Sequence, residues 1–238
     1  MNLMNLKNLK IKFLLLLIFL IIIPNFFLSG CSSSYKYHRD YEYIKNFYSF
    51  KLIPKPEEKI ISNPETINEL RKKVASIAID SIGLSSFSCD SRSFLYDCSG
   101  FVFYVFYKAG IDLSVYLVDQ AILGGVHQLF LIAKNYFSIS QISFNIADLI
   151  IFDNTYDRNN NGKDDDLFTH VAIISEIKDD GTIVYIHKSN NGVVKGFMNL
   201  LKKDVHSINE EVINSFLKDN GNNRLSSNLF NTFATLFR

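Results

Sequence analysis

Apolar and polar positions divide this chain into four kinds of stretch. An unbroken apolar run from Phe13 to Ile23 follows Lys7, Lys10 and Lys12. A polar, Tyr-rich segment then leads to Asn63-Pro64, a helix start, after which Ile67, Leu70, Val74, Ile77 and Ala78 recur at helical spacing to Ile79. Asp97 can cap a second helix, whose apolar positions are Phe101, Val102, Val105, Phe106 and Ala109 and which closes at Gly110. Gly83 to Arg92 reads as the loop between them. Leu113 to Leu123 reads as irregular or weakly helical, Gly124-Gly125 as a break, and Val126 to Phe137 as a possible third helix.

From Ile146 the pattern turns to strands. Ala147–Phe152, Phe168–Ile174 and Thr182–His187 are β-branched or aromatic runs separated by polar turns, with Asp180-Gly181 between the last two. Residues Ile208 to Phe237 read as a closing helical segment interrupted near Asn220-Gly221. Helices first and strands later predict an α+β domain over residues 64–238, with the second helix packed on an antiparallel sheet.

The first 63 residues read as an address and a tether. Cations, a short apolar run and small residues before Cys31 form an export signal over residues 1–30. The run falls short of the roughly 20 apolar residues that span a bilayer, unless Phe26, Phe27 and Leu28 are enlisted past Pro24. Leu28-Ser29-Gly30-Cys31 resembles the lipobox of bacterial lipoproteins, which implies cleavage before Cys31, acylation of that residue, and a membrane anchor outside the cytoplasm. A plain cleaved signal and an uncleaved anchor are the alternatives. Residues 31–63, with Pro54 and Pro56, form the tether.

Composition narrows the function. The formal net charge of the 238 residues is +1, which gives no reason to expect a nucleic acid as partner. Three cysteines rule out a disulfide framework, while 21 Phe and 12 Tyr with no Trp supply an aromatic core.

Cys98 is the candidate nucleophile. At the first position of a helix it meets unpaired N–H groups and the positive end of the dipole, an environment expected to depress a thiol pKa from about 8.5 toward neutrality. A thiolate needs a base, and the base a third group to hold its tautomer. His170 and His187 are the candidates. An even-numbered loop between their strands puts both imidazoles on one face, and a span of roughly 3.4 Å per strand residue calls for a loop of four or more. His127 and His206 read as ordinary. Cys89 reads as a free thiol, or as a disulfide partner that would silence Cys98.

Asp97-Cys98-Ser99-Gly100-Phe101-Val102, Ala147-Asp148-Leu149-Ile150-Ile151-Phe152, His170-Val171-Ala172-Ile173-Ile174 and Ile186-His187, in that order, resemble the successive motifs of the NlpC/P60 cysteine peptidases, relatives of papain and of the CHAP amidases. The resemblance covers about Pro64 to Gly192. It implies a papain-like fold and hydrolysis of amide bonds in peptidoglycan stem peptides. Cys98 would be nucleophile, His170 base and His187 orienting residue, with Asp97 and Ser99 binding the substrate amine. No cofactor is required. The chain departs from the family where Ser85-Ser86-Phe87-Ser88-Cys89-Asp90 replaces an aromatic and paired-glycine segment, and where Ala147-Asp148 replaces Gly-Asp. An amidase or acyltransferase sharing the same thioester chemistry, and a silent lipoprotein that binds wall peptides, are the competing readings.

Asp157, Asn159, Asn161, Gly162 and Asp165 match the front of a calcium loop, where oxygens fall at alternate positions. The closing position would be Phe168, which has no carboxylate. The alternative is a metal-free turn held by Asx hydrogen bonds.

Overall fold

The computed structural model describes residues 64–117, 124–218 and 224–237. The export signal, Cys31 and the tether lie outside them. Helix α1 (Pro64–Asp80) begins at the proline and buries Val74, Ala75 and Ala78. A hairpin follows, β1 (Phe87–Cys89) and β2 (Arg92–Phe94), where the sequence reads as a plain loop. It turns through Asp90 and Ser91, both left-handed. Helix α2 (Cys98–Ala109) has the predicted bounds, with Asp97 as N-cap and Gly110 as a left-handed C-cap. A 3-10 turn (Leu113–Tyr116) leads on, and α3 (Gly125–Tyr136) confirms the third helix.

The strands are β3 (Ser138–Ser140), β4 (Leu149–Phe152), β5 (His170–Ile177), β6 (Ile183–Ser189) and β7 (Gly192–Met198). Two-residue strands β8 (Ser207–Ile208) and β9 (Glu211–Val212) pair with each other, as do β10 (Phe216–Lys218) and β11 (Arg224–Leu225). The described chain ends on a single helical turn α4 (Ser226–Leu229) and β12 (Phe230–Thr235). The central sheet has the order β3-β12-β4-β5-β6-β7, and every neighbouring pair in it is antiparallel. The α+β class therefore holds, but the expected closing helix does not. Thr232, Phe233 and Ala234 are buried in succession, as suits an inner strand covered on both faces, and β12 enters the sheet between β3 and β4.

The sheet separates two apolar layers. On one face α1, α2 and α3 cover Leu149, Ile151, Val171, Ile173, Ile186 and Val193. On the other, Ile150, Phe152, Ala172, Ile174, Tyr185 and Phe233 pack with Leu200, Leu217 and Leu229 from the later chain. No helix among the described residues is long and apolar enough to cross a membrane.

Candidate active site

The site is assembled where α2 begins, β5 begins and β6 ends. Asp97 fixes the helix start: its Oδ1 accepts from Gly100 N at 2.7 Å and from Ser99 Oγ at 2.8 Å. Gly100 is required there, because a Cβ would stand 2.0 Å from the Leu95 carbonyl oxygen. The start of α3 then closes on the start of α2. A Cβ on Gly125 would lie 2.1 Å from Ser99 Oγ, so this glycine, besides opening α3 after the break at Gly124, lets the two helix starts come together.

Cys98 is half-buried, and the N–H groups of Val171, Ser99 and Cys98 itself face its sulfur. Val171 directly follows His170, so the helix terminus meets β5 at the candidate base. His170 and His187 share a face of the sheet, the one that carries Phe152, Ala172 and Tyr185, while Cys98 comes from the helical layer on the other face and meets the start of β5 at the Val171 N–H. The loop between their strands spans residues 178–182, an odd number that alone would have put them on opposite faces. A bulge between Ile174 and Glu176 restores the parity, and the Ile173–Ile186 pairing then sets His187 diagonal to His170. The result is a 2.7 Å contact between His170 Nε2 and His187 Nδ1, with the rings edge to face. Phe152 and Tyr185 pack beside them at 6.0 and 5.2 Å.

The contact links the two tautomers, since one ring nitrogen must donate and the other accept. If His170 Nδ1 is to accept a proton, Nε2 must carry hydrogen and donate to His187 Nδ1, which leaves the His187 proton on Nε2. Burial holds both rings in the neutral form. His170 lies well below the usual imidazole range, through burial first and then His187 and Lys188. His187, only 5% exposed, is pushed down to about 4 by burial and then by Lys188.

The thiol corrects an expectation. Burial, and secondly the Asp97 carboxylate, push Cys98 up to about 12, against the N–H groups that favour the thiolate. A helix terminus contributes on the order of 1 kcal/mol, whereas desolvation of a buried anion can move a pKa by about 3 to 5 units. These directions favour a neutral thiol and neutral imidazoles at rest.

Asp97 and Ser99, expected to bind a substrate amine, are joined to each other in the cap; Asp97 is exposed and Ser99 buried. Cys89 and Cys98 are both free thiols. His127 packs on Phe168 at 4.6 Å, and His206 Nδ1 contacts the Asn214 carbonyl at 2.7 Å, both structural roles. Lys188 and Tyr96 were not singled out by the sequence, although Lys188 adjoins His187 and Tyr96 lies two residues before Cys98.

The four candidate calcium ligands fall together in the loop between β4 and β5. Asp157 accepts from the N–H groups of Asn161 and Gly162, and the Asn159 and Asn161 amides donate to Asp165. Phe168 spends its side chain on stacking against Phe130 at 4.5 Å. The carboxylates that an ion would need already have donors within the loop, so the residues as placed form a self-closed turn. Among the described residues no group of three or more His, Cys, Asp or Glu side chains is arranged to hold a metal.

No family model, curated protein or solved structure matches this chain.

Proposed function

We propose that this chain is a papain-like cysteine hydrolase of the cell envelope, tethered by lipid at Cys31, which cleaves amide bonds in peptidoglycan stem peptides. The carrying observation is the 2.7 Å contact of His170 with His187 at the strand start that also meets the sulfur of a cysteine at the first position of a helix. A purely structural cysteine gains nothing from an oriented imidazole pair.

Because thiol and imidazole are both neutral at rest, proton transfer accompanies attack. The Cys98 sulfur adds to the carbonyl carbon as its proton passes to His170 Nδ1, while His187 keeps His170 in the accepting tautomer. The first-turn N–H groups of α2 are the donors at hand for the oxyanion. His170 then gives the proton to the departing amine nitrogen, leaving a thioester. Water, deprotonated by His170, splits the thioester, and the proton returns to sulfur.

The test is product analysis on purified peptidoglycan. Wild type is expected to release a new free amine, and Cys98→Ala and His170→Ala to release none. His187→Asn should keep measurable turnover, since its amide oxygen can still accept from His170. Product formation that survives Cys98→Ala would reject the reading.

A further inference from the structure

On β6, His187 alternates with Ile186 and Lys188. Ile186 faces the helical layer, and Lys188, paired across from Val193 of that same layer, faces it too. Its ammonium therefore stands on the side from which Cys98 enters the site. There it is held in two ways. Nζ lies 4.3 Å from the centre of the Tyr96 ring, and it donates to the Ser189 carbonyl at 2.7 Å.

Tyr96 is itself fixed. Its hydroxyl donates to the Leu84 carbonyl at 2.5 Å, its ring packs on Phe87 at 4.9 Å, and Phe87 rests on Phe101 of α2 at 5.6 Å. Lys188 and Tyr96 thus form a braced pair on the helical side of the sheet, two residues before Cys98 in the chain at Tyr96 and one after His187 at Lys188, with Tyr96 40% exposed to solvent. An ammonium has three donors and the Ser189 carbonyl takes one. Among the described residues no carboxylate lies at ion-pair distance from Lys188. The nearest acidic side chain in the chain before the nucleophile, Asp97, has its Oδ1 committed to the helix cap. The charge of Lys188 also adds to burial in disfavouring protonation of both imidazoles. A cation placed against buried imidazoles disfavours their protonation, so it serves best when an anion comes to meet it.

We propose that Lys188 is a specificity-determining residue that receives a carboxylate of the substrate peptide beside the scissile amide, with Tyr96 holding the ammonium in place. This rests on the hydrolase reading for its substrate class but not for its test, which is a binding measurement.

The probes are a stem-peptide fragment with a free α-carboxylate on its glutamyl residue and the twin amidated at that carboxylate. Both are titrated into the Cys98→Ala protein, which cannot turn them over. The free carboxylate is expected to bind about 10-fold tighter, a difference of about 1.4 kcal/mol. Lys188→Met in the same background should equalise the two, and Lys188→Arg should restore the preference. Should Lys188→Met fold poorly, raising salt on the Cys98→Ala protein alone is expected to shrink the preference, because a half-buried charge pair is partly screened. Equal affinity for the two peptides, binding of neither, or a preference that persists in Lys188→Met would overturn the proposal. The hydrolase reading is judged separately, by whether wild type releases a Cys98-dependent amine from peptidoglycan.

Discussion

At the scale of single residues, burial decides what the helix terminus does to Cys98. A preformed thiolate–imidazolium pair would give alkylation by iodoacetamide a plateau from about pH 5 upward, as in thiols held near pKa 3 to 4. Here burial and the Asp97 carboxylate push the thiol up to about 12 and burial holds His170 well below its usual range, both of which favour the proton on sulfur in the neutral region. The alkylation rate of Cys98 is expected to climb steadily with pH between about 5 and 9, and a plateau in that window would show the ion pair instead. Ala147 illustrates the same dominance of place over type. Its φ is 68°, the left-handed region, which a glycine would adopt without strain. An alanine there costs roughly 1 to 2 kcal/mol, tolerated in a fully buried turn whose next residue, Asp148, is tied to Arg71 at 2.7 Å.

At the scale of elements, the excursion between β4 and β5 fixes where His170 stands. Its neck is closed by Asn154 N to the Asp166 carbonyl and Asp166 N to Asn154 Oδ1, at 2.8 and 2.7 Å. Farther out, Asp157 and Asp165 take donors from the loop itself, and Asp164 reaches Lys218 and Arg224 at 2.7 and 2.6 Å. With these charges answered internally, melting temperature is expected to be indifferent to millimolar calcium and to chelator. A calcium-dependent rise that Asp157→Ala removes would mean that an ion displaces the Asn amides from Asp165. A bound ion at 100 times its dissociation constant would add about 2.7 kcal/mol, well within the reach of a melting curve.

At the scale of the whole molecule, the six-stranded sheet is completed by the last strand in the chain. β12 pairs with both β3 and β4, and Phe233, 1% exposed, packs on Phe144 at 4.4 Å and Phe230 at 4.6 Å. Phe233→Ala is expected to cost about 3 to 5 kcal/mol, read as a large fall in melting temperature with one cooperative transition. A change within about 0.5 kcal/mol would show that β12 is dispensable to the core. Because β4 also carries Phe152 beside His170, loosening β12 should loosen the base as well.

Local chemistry alone determined the helix that begins at Cys98. Asp97, the apolar positions and Gly110 mark its ends, and each signal acts within a few residues of where it stands. The three adjacent strands and the two histidines were legible for the same reason. Three features depended on contacts distant in sequence. The final segment is apolar enough for helix or strand, and only the open place between β3 and β4 makes it a strand. Histidine parity rests on a bulge near Ser175 that no turn residue announces. The protonation state of Cys98 depends on desolvation by packed layers, which is a property of three dimensions and outweighs the helix-end field that the sequence alone displays.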